Sequence, residues 1–311
     1  MEIEQISSSE YAIHFPSHDH IFNSVEFNEL NKSKCDRIYY LLFHEKKNKI
    51  GLIAGVIKDE LLSPFSAPHG GFSTNRSDIK LLYFENCVHY LDEFARKDKI
   101  KSIKFILPPY FYNESYLTKT RYALINNNFV HLFCNINHHF YFESLNKFAD
   151  HGIDRETRRK IRKAIDLGLV FKQVTENELK SSAYDIIKTN KELKGRPLHL
   201  SFEQLKETES IVRVDYFLVY YREIAVASAI VYHVSKDIVQ FIYWGDLREY
   251  AEYQVMSFLA YSLFEHYTKN GIKYIDLAIS TENGIPNYGL CNFKEDFGCT
   301  ASLKYTMFKH F

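Results

Sequence analysis

The stretch YIDLAISTENGIPNYGLCNFKEDFG, Tyr274 to Gly298, carries a strand, a loop and a helix in quick succession. Tyr274 to Ile279 alternates isoleucine and leucine with an acid, as in a strand buried on one face. Ser280 to Asn287 is a polar loop punctuated by glycine and proline. Tyr288 to Phe297 has the length of a short helix, with Leu290, Phe293 and Phe297 on one face. Gly298 follows, where a left-handed residue costs least. Lys294 lies about 100° round the helix from Phe293, so the spacing turns it off the apolar face. It is expected to point toward the crevice that α/β folds leave at strand C-termini, with Glu282 or Glu295 as its partner. Phe293 and Phe297 are expected to anchor the helix in the core.

Outward from this stretch the chain repeats itself. An amphipathic helix, about Tyr250 to Lys269, precedes the strand at 274, and a strand from Ala301 to Phe308 closes the chain. Upstream stand a hairpin, Tyr216 to Tyr220 and Ile224 to His233, and a strand, Ile238 to Trp244. The first half has the same order. A hairpin at Arg37 to Phe43 and Ile50 to Ile57 is followed by a helix from Ile79 to Arg96. Then come a strand at Ser102 to Leu107, a helix at Leu117 to Asn127 and a strand at Val130 to Phe142. The long helices start 171 residues apart (250 minus 79), the next strands 172 apart (274 minus 102), and the closing strands 171 apart (301 minus 130). Equal offsets over three elements predict a duplicated α/β domain, 1–150 and 151–311. A chain of 311 residues fits two cores better than one.

The second half opens on DRETRRKIRKAIDLG, Asp154 to Gly168. Asp154 is an N-cap candidate. Arg155, Arg158, Arg159, Arg162 and Lys163 share an arc of about 140°, and Ile161, Ala164 and Ile165 fill another face. Such a ridge reads either as a solvated linker helix or as an anion clamp built on Arg158 and Arg162. A strand, Val170 to Val174, and two helices, Glu176 to Leu193 and Phe202 to Ile211, follow, the helices joined by GRPLHLS.

Composition narrows the function classes. Net charge is +0, which argues against a globally basic nucleic-acid binder. The 25 Phe and 23 Tyr are the material of apolar cores. Five cysteines, an odd number without metal-ligand spacing, suit free thiols in a reducing cytoplasm. His14, His18, Asp19 and His20 cluster in a polar run that reads as solvated, and no metal is expected. The N-terminus has no apolar run of the signal-peptide kind, and no apolar segment is long enough to span a membrane. Gly-x-Ser-x-Gly, paired zinc ligands and a nucleotide-binding glycine run are missing from the sequence, which removes the hydrolase, zinc-enzyme and dehydrogenase readings.

The run S-T-E-N-G…N-x-G-L-x-x-F-K-E-x-F-G resembles the C-terminal signature of bacterial FemAB-like N-acyltransferases. It is carried by Ser280, Thr281, Glu282, Asn283, Gly284, Asn287, Gly289, Leu290, Phe293, Lys294, Glu295, Phe297 and Gly298. The resemblance implies two tandem GNAT-like domains. It also implies acyl transfer from an acyl-CoA-like thioester to an amine of a sugar, lipid or peptide cell-envelope precursor. In the peptidoglycan-bridge branch the donor is aminoacyl-tRNA; that branch often carries a coiled-coil arm, and no long heptad run exists here. A non-catalytic binding scaffold is the third reading.

GNAT folds splay two parallel strands, and the gap holds the acyl carbonyl and the pantetheine arm. The coenzyme A diphosphate rests on amides at the next helix N-terminus, usually behind a Gly-rich turn. Here that turn reads WGDLREYAEYQ, Trp244 to Gln254, with Gly245 as its one glycine and Arg248 as a replacement charge. Acyl transfer to an amine needs a proton acceptor and a proton donor near a strand end. Asp246 and Glu282 follow strand ends and Tyr288 opens the signature helix, so these three are the catalytic candidates. Trp244, Arg248, Asn287, Gly289 and Lys294 are the donor-contact candidates. The loop SPFSAPHGGF resembles the family's substrate-side loop, which suggests acceptor binding at Pro68, His69, Gly70 and Gly71, against a structural bend.

Overall fold

The computed structural model describes residues 1–141 and 152–311, so the expected boundary at 150/151 lies outside the described residues. The chain is mixed α/β. It opens with β1 (Glu2–Gln5), α1 (Ser8–His14) and α2 (Val25–Leu30). Next come β2 (Arg37–Glu45), β3 (Asn48–Ile57), β4 (Glu60–Ser63) and β5 (Phe72–Thr74). Then follow α3 (Leu81–Lys97), β6 (Ser102–Ile106), α4 (Glu114–Asn126) and β7 (Val130–Tyr141). After the undescribed residues come α5 (Arg155–Asp166), β8 (Val170–Val174), α6 (Asn177–Leu193) and α7 (Phe202–Glu209). A meander of β9 (Val214–Tyr221), β10 (Ile224–His233) and β11 (Ile238–Asp246) leads through a 3-10 turn, Arg248–Tyr253, into α8 (Val255–Lys269). The last elements are β12 (Tyr274–Ile279), β13 (Thr281–Glu282), β14 (Ile285–Pro286), α9 (Tyr288–Asp296) and β15 (Thr300–His310).

Local chemistry sets these boundaries. Asp154 caps α5 by accepting from the Thr157 amide at 2.9 Å. Asn287 caps α9 in the same way through Leu290 at 3.1 Å. Gly298 ends α9 at φ +75°, as expected for a left-handed stop. Ser280 to Asn287 differs from the expected open loop. Asn283 and Gly284 both have positive φ (50° and 82°), and they turn β13 back on β14 as a two-residue hairpin.

The chain divides into two compact units. The first is Met1–Ile136 with Thr281–Ile285 and Ser302–Phe311; the second is Asn137–Ser280 with Pro286–Ala301. In the first, the sheet runs β1-β2-β3-β4-β6-β15, with β5 also on β3. Only β4–β6 is parallel among these pairings. Its core joins Phe43, Leu52, Phe84, Leu91, Phe105 and Met307. In the second, the sheet runs β7-β12-β11-β10-β9-β8, and only β11–β12 is parallel. Its core joins Phe140, Phe217, Val231, Leu263, Phe264 and Phe297.

Each unit takes its closing strand from the other half of the sequence. β15 pairs with β6 from Thr306↔Ile106 to His310↔Ser102, and β7 pairs with β12 from Tyr274↔Tyr141 to Ile279↔Asn137. The expected second half, 151–311, therefore gives up Thr281–Ile285 and Ser302–Phe311 to the first unit. Strand periodicity records which face is buried and carries no information about the neighbouring strand.

Candidate active site in the second unit

β11 and β12 are paired over three positions only, Ile238↔Tyr274 to Gln240↔Asp276. Beyond them β11 continues along β10 as far as Asp246↔Ala227, while β12 bends away at Ala278, φ +58°. Past Gln240, among the described residues, β11 pairs with β10 alone. This is the splayed parallel pair that the resemblance implied.

A buried polar cluster holds the bend. The Asp276 carboxylate, fully buried, accepts from Asn137 Nδ2 at 2.7 Å, Gln240 Nε2 at 2.8 Å and the Ala278 amide at 2.8 Å. Lys294, 1% exposed, donates from Nζ to the carbonyls of Leu277 (2.7 Å), Ala278 (2.9 Å) and Ile279 (3.3 Å). Burial pulls its pKa down to about 8, against the opposing pull of Asp276. His138 bridges Ser280 Oγ (2.8 Å) and Glu295 Oε1 (3.2 Å); its burial, the largest influence, lowers its pKa.

Lys294 thus differs from its expected place at the crevice edge, and its partners are backbone carbonyls. The three carbonyls converge because Ala278 leaves the strand conformation, and only a multi-donor cation can satisfy them together. The faces of α9 shift accordingly. Cys291, Lys294 and Phe297 are buried, while Leu290 and Phe293 are half-buried and line an open cavity. Phe293 packs edge-on against Trp244, ring centroids 5.8 Å apart.

That cavity, about 380 Å³, opens at the C-terminal end of β11, beside the start of α9. Trp244, Gly245 and Asp246 form one wall, and Asn287, Gly289, Leu290 and Phe293 another. Met256 and the end of α6, Asn190 with Lys191, Lys194 and Arg196, complete it. Asp246 is half-buried, and desolvation raises its carboxyl pKa, with Lys194 and Asn190 opposing. Asn190 Nδ2 donates to Asp246 O at 2.7 Å and Oδ1 at 3.1 Å, and accepts at Oδ1 from Lys194 at 2.9 Å. Gly245 makes this contact possible: a Cβ there would stand 2.9 Å from Asn190 Cγ.

Four expected site residues therefore share one cavity: Trp244, Asp246, Asn287 and Gly289. The others lie elsewhere. Tyr288 is 72% exposed and outside the cavity wall, because helix rotation turns it away from Gly289 and Leu290. Arg248 is exposed in the 3-10 turn that stands in place of a Gly-rich diphosphate loop. Glu282 sits in the β13–β14 hairpin of the first unit, which Thr281 and Gly284 tie to Asn135 at 2.7 and 3.0 Å. Arg158 and Arg162 line a broad depression on α5 with Arg155 and Arg159. There Arg159 pairs with Glu156 at 2.8 Å and Lys163 donates to the Glu252 carbonyl at 3.1 Å.

Pro68, His69, Gly70 and Gly71 form a bend in the first unit, buried except for half-buried Pro68. The Gly70 amide donates to Ile106 O at 2.9 Å and the Gly71 amide to Ser63 Oγ at 3.0 Å, so the bend closes over the ends of β4 and β6. His69 is fully buried, edge-on to His20 and Tyr112 at 4.6 and 4.7 Å. His20 also departs from the solvated reading of the histidine run, and burial lowers its pKa to about 3. Pro68–Gly71 is a packed bend at the ends of β4 and β6. The sequence reading passed over Asn190, Lys191 and Lys194; the adjoining GRPLHLS loop was the signal nearest to them.

No protein-family model and no curated protein matches the sequence. Solved structures do match. FemX is 14% identical with a TM-score of 0.67, over 98% of this chain and 97% of that one. The chain has a FemAB-like, GNAT-type fold. L-PGS from Bacillus licheniformis aligns at 12% identity and TM-score 0.61, over 98% and 93%. A tandem GNAT protein from the clavulanic acid biosynthesis pathway aligns at 7% and 0.55, over 99% and 97%. At these identities the likeness is one of fold.

Proposed function

We propose that this protein is an N-acyltransferase built from two GNAT-like domains, with its acyl donor held in the notch between β11 and β12. The observation that carries the reading is the loss of β11–β12 pairing after Gln240 and Asp276, with a cavity at the end of β11 that holds Asp246. Unpaired strand amides supply donors for a developing oxyanion. Asp246, with its raised pKa, takes the proton of an incoming ammonium; the free amine adds to the acyl carbon. The collapsing intermediate expels a thiolate or a ribose alkoxide, which takes up the proton that the attacking nitrogen sheds. The matching pairings of the two sheets, one parallel pair between antiparallel ones, support a duplicated domain.

The donor is an acyl thioester of the coenzyme A kind, and the acceptor an amine of a sugar, lipid or peptide precursor of the cell envelope. A second reading, aminoacyl-tRNA as donor, is favoured by the 3-10 turn at Arg248–Tyr253 and by the cations at the end of α6. Soluble action in the cytoplasm accords with the absence, among the described residues, of a helix long and apolar enough to cross a membrane.

The test is transfer, followed by mass spectrometry, from a panel of acyl-CoA thioesters and from aminoacylated RNA to amine acceptors. Active protein is expected to show an acid limb in kcat/KM above the ordinary aspartate range, since burial raises Asp246. Asp246→Asn is expected to lose that limb and at least roughly tenfold in rate. Asp246→Asn with wild-type rate and pH profile removes Asp246 as the base, and no transfer from any donor removes the reading.

A further inference from the structure

The cavity at the end of β11 has one apolar side. Trp244, Met256, Leu290 and Phe293 reach it from β11, α8 and α9, and each is half-buried. A single half-exposed apolar residue is ordinary, but four converging on one recess mark a place where something apolar binds. The wall is held from behind. Trp244 stands edge-on to the buried ring of Phe241 at 5.2 Å and to Phe293 at 5.8 Å, and Phe293 packs on buried Phe297 at 5.1 Å. The rings are therefore set before a ligand arrives, which lowers the ordering cost of binding.

The other side is polar, and it includes Asp246, held by Asn190 from α6 at 3.1 Å. A ligand that fills this cavity is polar at one end and apolar at the other. An acyl group with its reacting carbonyl has that form: the carbonyl carbon meets the amine that Asp246 deprotonates, and the chain lies on the rings. The acceptor's own reacting end is an ammonium, costly to desolvate on an apolar wall. The volume, about 380 Å³, is near the small end for ligand sites and suits a chain of short to medium length.

We propose that Trp244, Met256, Leu290 and Phe293 form an acyl-chain pocket that selects an apolar transferred group of short to medium length. The inference rests on the donor site assigned above and adds the class of group that is transferred. That group comes either on a thioester or, as an apolar aminoacyl residue, on the ribose of an RNA; the pocket meets the same chemistry in both, and the test separates them. Gly289 sets one edge of the pocket. Among the described residues, a Cβ there would have Asn287 Oδ1, at 3.6 Å, as its nearest contact outside the helix backbone and its chain neighbours, so a side chain can be built into open space.

Trp244 is the chain's one tryptophan and lies in the cavity wall, so its fluorescence reports binding there. Acetyl-, butyryl-, hexanoyl-, octanoyl- and decanoyl-CoA are titrated against wild type, Gly289→Leu and Met256→Ala. Short RNA hairpins ending in CCA and charged with glycine, serine or leucine form the second arm, and transfer to amine acceptors is followed with the same donors. In one arm, affinity and kcat/KM are expected to rise about fourfold per methylene until the pocket is full, with leucine above serine and glycine. Gly289→Leu should move the best chain to a shorter one and erase the preference for leucine, and Met256→Ala should move it to a longer one. Each comparison is a ratio within one protein, which a general loss of folded or active material does not move. Selection among the thioesters assigns the thioester; selection among the RNAs alone assigns the ester. Equal affinity and rate for every chain, a preference for acetyl or for a polar side chain, a length dependence that neither variant alters, or no response to any donor at millimolar concentration overturns the pocket. Length selection in binding that the variants shift, without any transfer, keeps the pocket and removes the acyltransferase reading. Transfer without selection keeps that reading and removes the pocket.

Discussion

Lys294 shows how one side chain can be legible in type and misplaced in position. Its position in the signature marked it as functional, yet its ammonium ends in the three carbonyls at the bend of β12. Lys294→Met strands those carbonyls and is expected to cost a few kcal/mol, since each buried unsatisfied group costs about 1–3 kcal/mol. The lysine also predicts a pH dependence. Its folded pKa, about 8, lies below the ordinary lysine value of about 10.4. Between those values the unfolded chain binds a proton that the folded chain has released, so stability rises with pH across that window. Denaturant unfolding from pH 7 to 10 should show this rise in wild type and lose it in Lys294→Met. A flat difference between the two proteins would return Lys294 to a solvated setting. Asp246 is the opposite case: a carboxylate expected at the cleft and found lining it. A residue that directly follows a strand inherits the strand's direction, whereas a helical side chain depends on how the helix is rotated on its core.

At the scale of elements, regular structure was the most legible. β12 begins and ends where its alternation does, and α6 and α9 fall within one residue of expectation. The helix expected from Tyr250 divides into a 3-10 turn and α8, because Gln254 adopts a left-handed conformation that no apolar period records. The basic helix α5 was predicted from charge and capping, and its arginines line a depression separate from the α6 cavity. The separation carries a prediction. Reversing two charges, Arg158→Glu with Arg162→Glu, should weaken a long polyanion such as RNA strongly at low salt and leave coenzyme A within about twofold. Filter binding with both ligands checks it. Equal losses for both would make α5 part of a single small-ligand site.

At the scale of the molecule, the strand exchange has the largest consequence. β15 is the end of the chain, yet Met307 is fully buried in the core of the first unit with Phe105, Leu91 and Phe43. Met307→Ala is expected to cost about 2–5 kcal/mol, the range for an emptied core site. Hydrogen exchange should show the loss in β2, β3 and β6 of the first unit, with Phe217 and Leu263 in the second unit keeping their protection. Loss of protection confined to the second unit would contradict the strand assignment. Phe297→Ala is the matched control, because Phe297 packs on Phe264 in the second unit.

The sequence by itself determined the class of the fold, the position of nearly every long element and the repeat offset of about 171 residues. Those follow from local periodicity and capping, which act within a few residues. Tertiary structure alone decided that β15 and the end of β7 change units, that Phe293 faces a cavity while Lys294 is buried, and that His69 is buried within a bend. It alone brought Lys191 and Lys194 opposite Trp244 and Phe293. Each of these depends on which surface a segment meets across a large sequence separation. Periodicity fixes which side of a strand or helix is apolar, and says nothing of the partner that covers it.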